Sequence, residues 1–549
     1  MNQKNHLLTG WAVLLFAFLL PAMSCQQETK YSDEQQLFVS DTLAIAQTEY
    51  GKVKGFILRE IIQFRGIPYG ASTAGSNRFM PPQPPEPWEG ILPTVWWGNS
   101  APQIMEGRYA HAYASFVDHW NYDEVSEDCL RLNVWTPALN DGKKRPVLLW
   151  LHGGGYTNGN GIEQDGYDGE NLSRKGDIVF VSINHRLGPL GFSDLSGVGG
   201  EKYRYSGNAG VLDMLFALEW VNRNIENFGG DPGNVTIMGQ SGGGAKVCNL
   251  VAMEQTRGLV HKAIPLSGST IQSIGQDYAR QVGAYILREA GLEPSEVDQL
   301  QELSWLEYIH LANRAARKCA QENPAAGQRG FGPVADGDIL PAGQYFSDPQ
   351  GAGSKIPMLL CTTFHEWGMA RTQPELETIS AEKAIEMLKE RAGFRGGLGD
   401  KAEVAYRAYE RVFPEAKPIE IMTLVASNRK GVIETANAKA RQEAPVYLAW
   451  FGWEPPLFDQ RMRAFHCLDI CFWLANTDIM LTHTGGGKRP RVLADKMSDA
   501  LLNFMKTGNP NGGDLPYWPA YTTEKGETMI LDDVSMVKND PDREARAQF

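Results

Sequence analysis

Asn234-Val235-Thr236-Ile237-Met238-Gly239-Gln240-Ser241-Gly242-Gly243-Gly244 is the stretch whose reading decides the fold. Val235 to Met238 is a short, apolar, β-branched run, which predicts a buried strand. A helix-like stretch follows from Gly244. Between them, Gly239-x-Ser241-x-Gly243 has the form of a nucleophile elbow, a sharp strand-to-helix turn that leaves a serine Oγ exposed at the end of a sheet. Such a turn forces backbones together, and glycine on each side of the serine removes the clash. In a chain with 58 glycines the pattern by itself fits a Gly-rich turn equally well. The segments around it decide between the two.

Those segments alternate strand and helix. Val147–Leu151 and Ile178–Ile183 are continuous apolar runs. From Asn208 to Phe228, Val211, Leu215, Leu218, Val221, Ile225 and Phe228 recur at spacings of three and four, the stripe of a helix with one buried face. Gly229-Gly230-Asp231-Pro232 stops it, and the elbow strand follows. Ala263–Leu266, Pro357–Thr363, Val446–Phe451 and Thr528–Leu531 read as later strands, with Thr528–Leu531 the last. Leu493, Met497, Leu501, Phe504 and Met505 mark a late helix closed by Gly508. Helix-rich insertions are expected near 276–320 and 380–442. Strand, helix, strand with buried apolar runs predicts an α/β fold with a mostly parallel sheet flanked by helices.

The ends and the composition add limits. The chain has 549 residues, 42% hydrophobic, enough for a large core. Its net charge is −13 with no basic cluster, which argues against a nucleic-acid partner. Lys4 and His6, the apolar run Val13–Leu20 and the small residues before Cys25 read as a secretory signal over 1–24. A cysteine directly after Ser24 resembles a bacterial lipoprotein signal, in which Cys25 becomes the lipidated N-terminus, although Ala22 stands where leucine is usual. Residues 25–41 then form a polar tether, and 42–549 the folded domain. Cys467 and Cys471 follow His466 at a helical spacing, but with no second ligand pair a metal site is not expected. His365-Glu366 opens like H-E-x-x-H, yet position 369 is Met, so a zinc protease is not supported.

A serine hydroxyl needs a base to take its proton and an acid to orient that base. In α/β-hydrolases the chain order is serine, acid, histidine. The base belongs in a loop beyond a late strand, which leaves His466, flanked by apolar residues, and His483, which reads as an exposed loop; His466 is preferred. Glu366 lies three residues past the Pro357–Thr363 strand, and Asp336 and Asp338 around Gly337 are rivals better suited to a turn. His152-Gly153-Gly154-Gly155 follows a strand, and with the N–H of Gly242 it could supply unobstructed amide donors to an oxyanion.

At this point the chain resembles the type-B carboxylesterase family, which includes the cholinesterases and the bacterial para-nitrobenzyl esterases. The resemblance runs from about Gly51 to the C-terminus through Phe64-Arg65-Gly66-Ile67-Pro68-Tyr69, Glu127-Asp128-Cys129-Leu130, His152 to Gly155, Phe228-Gly229-Gly230-Asp231-Pro232, the elbow and Gly508-Asn509-Pro510-Asn511. It implies an α/β-hydrolase fold and a serine esterase that acts on a small-molecule ester without a cofactor. It implies Ser241 as nucleophile, Glu366 as acid, His466 as base, and Gly154, Gly155 and Gly242 as oxyanion donors. It also implies Ser267 as a support of the acid and base, and buried ion pairs Arg78 with Glu127 and Arg186 with Asp213. Trp367 stands where glycine is usual, and Cys129 lacks its upstream disulfide partner, so a free buried thiol is expected there. Tyr156, Trp367, Phe472 and Trp473 are candidate pocket walls. Two other readings remain open: a deacylase of polysaccharide side groups, and a non-catalytic adhesion module of the same fold. The expected setting is the cell envelope, with the membrane reached through the anchor at Cys25.

Overall fold

The computed structural model describes residues 35–104, 124–324, 330–393 and 395–548. Residues 1–24, read above as a secretory signal, and Cys25 lie outside the described residues. A 12-stranded sheet organises the rest. Its strands are β1 (Leu37–Phe38), β2 (Phe56–Leu58), β3 (Ile61–Pro68), β4 (Arg131–Thr136), β5 (Arg145–Leu151), β6 (Val179–Ile183), β7 (Gly230–Gln240), β8 (Lys262–Leu266), β9 (Met358–Thr363), β10 (Val446–Phe451), β11 (Glu527–Leu531) and β12 (Met536–Asn539). Spatial order follows chain order except that β6 lies between β4 and β5. From β6 to β11 every pairing is parallel. The flanks are antiparallel.

The apolar runs have a direct physical cause. Along β5, Val147, Leu149 and Leu151 enter one core and Leu148 and Trp150 the other. The same alternation holds for Val446 and Leu448 against Tyr447, Ala449 and Phe451 of β10. Both faces are covered, so neither set of side chains is free to be polar. On one face lie α1 (Ala209–Asn224) and α2 (Gly242–Ala252), through residues such as Val211, Leu218 and Val247. Leu493, Met497 and Leu501, from the long helix Lys488–Thr507, cover the other. Gly508 closes that helix at φ 77°, with its N–H on the Phe504 carbonyl at 2.7 Å.

The two insertions carry cores of their own. The first holds the helices Gln276–Ala290 and Trp305–Glu322. The second holds Ala381–Glu390, Ala402–Val412 and Pro418–Val425.

Two details differ from the sequence reading. Thr528–Leu531 is not the last strand, because β12 turns back antiparallel on β11. β1 falls within the stretch read as tether and pairs with β2, so the end of that stretch packs on the sheet edge. The expected ion pairs are present and buried. Arg186 Nη2 meets Asp213 Oδ1 at 2.6 Å and Nε meets Oδ2 at 2.8 Å. Arg78 grips Glu127 with two bonds of 2.7 Å. Cys129 is buried and free, as expected.

Candidate active site

Ser241 joins β7 to α2 at φ 57°, ψ −123°, a backbone region that costs about 1–3 kcal/mol for a non-glycine residue. The turn is held by the Ser241 N–H on the Leu266 carbonyl at 2.8 Å and the Ala245 N–H on the Ser241 carbonyl at 3.2 Å. Glycine is required around it. A Cβ on Gly243 would overlap the Leu151 carbonyl oxygen, and one on Gly268 the carbonyl oxygen of Ser241.

The glycine loop leaves the end of β5 beside this turn. Gly154 and Gly155 take φ 78° and 63°. The Gly155 backbone packs so closely on Gly242 that a side chain at 242 would collide with it. The Gly155 backbone therefore lies against the residue that follows the serine, while Gly153 lies close to Gln240 and Ser241.

Glu366 follows β9 and is 3% exposed. Its Oε1 accepts from the Thr363 N–H at 3.0 Å and from the Thr362 hydroxyl. Its Oε2 meets His466 Nδ1 in a short contact. What brings these two together is a parallel bridge between His365 and Phe465, one residue before each. The His365 N–H also bonds the Ala464 carbonyl at 3.0 Å. Arg463 pins the same loop to the second insertion, with Nη1 2.6 Å from Glu377 Oε1 and Nε 3.0 Å from Glu420 Oε1.

Burial pushes the Glu366 carboxyl up, but the His466 charge and hydrogen bonds outweigh it and hold the carboxyl below its ordinary value. Ser267, at φ 47°, adds to that lowering. Its buried Oγ makes no well-formed hydrogen bond, so it acts at longer range than Thr362. Burial disfavours a charged His466, yet the Cys467 sulfur and Glu366 beside it outweigh this and hold the imidazole well above its usual range.

Ser241, Gly242, Ser267, Glu366 and His466 line one cavity of about 260 Å³. His466 contacts Glu366 and Gln240, and Ser241 lines the same cavity. Ala245 lines this cavity and also an open groove of about 370 Å³ with Tyr156, Ile274, Phe331, Thr270 and Ser273.

The rival histidines stand elsewhere. His365 is buried with Nδ1 2.8 Å from Thr423 Oγ1, and burial with Arg463 nearby pushes its pKa down to about 3. His483 is not an exposed loop residue; it is buried, with its ring stacked on Phe465 at 5.3 Å. Asp336 Oδ1 accepts the N–H groups of Asp338, Ile339 and Leu340, which makes it a turn residue. Phe472 and Trp473 are fully buried core side chains and not pocket walls. Trp367 packs on the core of the second insertion, with Arg391 over its ring at 5.4 Å. Among the described residues no group of side chains is arranged to hold a metal ion.

A family model described as the carboxylesterase family matches residues 42–549. The chain belongs to the carboxylesterase family. It is 35% identical to a para-nitrobenzyl esterase of Bacillus subtilis (strain 168) over 514 residues, covering 92% of this chain and 99% of that protein. It is 30% identical to a phenmedipham hydrolase of Pseudarthrobacter oxydans, covering 90% and 96%. A solved esterase from Clostridium hathewayi, described as able to hydrolyse aliphatic aromatic polyesters, matches with TM-score 0.79 at 33% identity over 94% of this chain and 99% of its own. A thermophilic para-nitrobenzyl esterase matches with TM-score 0.75 over 92% and 99%. This carboxylesterase therefore has the α/β-hydrolase fold and hydrolyses carboxylic esters, and a serine-dependent mechanism is typical of its family. The adhesion reading is set aside.

Two buried polar neighbours of the site were missed in the sequence. Gln240, wholly buried, puts Nε2 3.3 Å from His466 Nδ1 and 3.2 Å from Nε2, while its Oε1 accepts from Cys467 Sγ at 3.3 Å. Its place inside the elbow was the available signal. Asp469, three residues past His466, is fully buried, and burial with the Glu366 charge pushes its carboxyl up to about 7.

The neutral Gln240 amide beside the imidazole leads to a pH prediction. Gln240→Glu would add a negative charge there and raise the proton affinity of His466 further. The base works only when unprotonated, so the acid limb of kcat/KM should move to higher pH. An unmoved limb in a kcat/KM profile would show that residue 240 does not contact the working base.

Proposed function

We propose that Ser241 attacks the ester carbonyl of an apolar, ring-bearing small-molecule substrate, with His466 as general base and Glu366 holding that base. The observation that carries this is the single cavity lined by Ser241, His466 and Glu366, with Gly242 on its wall and the Gly155 backbone packed against Gly242. His466 takes the Ser241 proton as Oγ bonds to the carbonyl carbon. The amides receive the oxyanion as it forms. On collapse, His466 returns the proton to the departing alcohol and leaves an acyl-serine. Water, deprotonated by His466, then releases the acid. The carboxylate of Glu366 fixes the ring through Nδ1, so Nε2, which the Gln240 amide also approaches at 3.2 Å, is the nitrogen that takes the Ser241 proton.

The Tyr156, Ile274 and Phe331 wall of the adjoining groove supports an apolar ester over an acetylated sugar. A panel of nitrophenyl esters of different acyl lengths, aryl esters and acetylated saccharides tests this. Turnover led by aryl or medium acyl esters is expected. Turnover led by acetylated saccharides would transfer the protein to the deacylase reading.

The first 24 residues are proposed as an export signal and Cys25 as a lipidated N-terminus on the cell envelope. Support comes from the Ala22-Met23-Ser24-Cys25 sequence. Among the described residues no helix is long and apolar enough to cross a membrane. Cys25→Ser should move the protein from the membrane fraction to the soluble one. Wild-type protein already soluble after fractionation would end the anchor proposal.

A further inference from the structure

Lys246 is a buried titratable group that the mechanism above does not use. It lies on α2, one turn beyond the elbow, with no exposed surface. Lysine is rarely buried without a reason, because losing water penalises the ammonium. Its Nζ donates to the carbonyl oxygen of His152 at 2.9 Å. That carbonyl belongs to the peptide between His152 and Gly153, the first of the glycine loop. The Lys246 Nζ also stands 5.9 Å from the centre of the Tyr156 ring, at the far end of the same loop.

The charges facing it are few. Glu163 is the nearby acid and favours the ammonium. His152 and His185, stacked at 5.0 Å, are both driven far toward the neutral form by burial and by Lys246 itself. Burial pushes the ammonium down to about 7. Tyr156 is held neutral by burial, and its hydroxyl accepts from Asn249 at 2.8 Å.

We propose that Lys246 is a positioning residue for the oxyanion loop, bracing the His152 carbonyl and favouring by its charge the oxyanion formed against Gly154 and Gly155. The inference rests on the reading of those amides as the oxyanion donors. Two consequences follow from its two parts. Losing the brace lets the first loop peptide rotate, which misplaces the following amides. Losing the charge removes a field that is poorly screened where water is excluded.

Both consequences act on the transition state and not on ground-state binding. Lys246→Met should therefore lower kcat about tenfold, less than deleting an oxyanion donor outright, with KM nearly unchanged. It should weaken a trifluoromethyl ketone, which binds as an oxyanion-bearing hemiketal on serine, by a similar factor. A neutral alcohol product should bind as before. The charge is present below the ammonium's pKa and lost as pH rises through it. The ratio of wild-type to variant kcat should therefore be largest below neutrality and shrink above it.

If Lys246→Met does not fold, Lys246→Gln keeps an N–H donor without the charge and should show the same pH-dependent ratio. A folded variant with unchanged kcat, or with lowered kcat but undiminished ketone binding, overturns the proposal. Failure of the underlying oxyanion reading looks different, because Gly155→Pro, which removes a proposed donor N–H, would then leave wild-type binding of the trifluoromethyl ketone unchanged.

Discussion

Ser241→Ala should reduce kcat by roughly four to six orders of magnitude, the range seen when a serine hydrolase loses its nucleophile. The turn itself should survive, since alanine can occupy the backbone that Ser241 holds between β7 and α2 as well as serine does. His466→Ala should cost about as much, and the double variant little more, because the two groups act as one unit. Glu366→Gln is expected to hurt less than loss of the serine, since it disturbs the tautomer and orientation of the ring and leaves the nucleophile in place. His365→Ala should keep most activity, since His365 bonds Thr423 and not the cavity groups. The check is initial rates on a nitrophenyl ester, normalised to folded protein. Full activity in Ser241→Ala would remove the assignment, whatever the other variants do.

The second large effect is on stability. Asp213→Ala should lower the unfolding free energy by about 3–5 kcal/mol, because it strands a buried guanidinium. Arg186 is 1% exposed and Asp213 fully buried. Asp213 also accepts the Arg186 backbone N–H at 2.9 Å. Against a typical total of about 5–15 kcal/mol, that is a large share. Replacing both partners with apolar residues of similar volume should recover much of the loss, since the burial cost leaves with the charges. A denaturant midpoint that falls at constant slope would register the effect. A midpoint for Asp213→Ala equal to wild type would mean that water or another group takes up the Arg186 charge.

Much of this was legible before any coordinates. The inner strands were, because burial on both faces leaves no polar alternation to confuse the reading, as Val147–Leu151 and Val446–Phe451 show. That Ser241, Glu366 and His466 meet at one cavity was legible because each lies beyond a strand of the parallel part of the sheet, where loops converge. The outer strands were harder. Met536–Asn539 is mostly exposed and carries no apolar run, so only its pairing with β11 defines it. Leu37–Phe38 is exposed despite being apolar, and only its pairing with β2 defines it. His483 was misread because its sequence neighbours are Thr and Gly, whereas its burial comes from Phe465 across space. The bridge of His365 to Phe465, the reach of Gln240 to both ring nitrogens, and the Lys246 bond to His152 are long-range contacts. Local composition carries no trace of them.

The cysteines bear on how this protein can be made. Among the described residues the six cysteines, from Cys129 to Cys471, form no disulfide. Burial pushes Cys248 up to about 12 and raises Cys129, Cys361 and Cys471 as well. At neutral pH these sulfurs are almost wholly protonated and slow to react. Folding then requires neither an oxidising compartment nor a disulfide isomerase. A chain begun after residue 24 and produced in a reducing cytosol should reach the native state described here, and strong reductant in the buffer should cost it nothing.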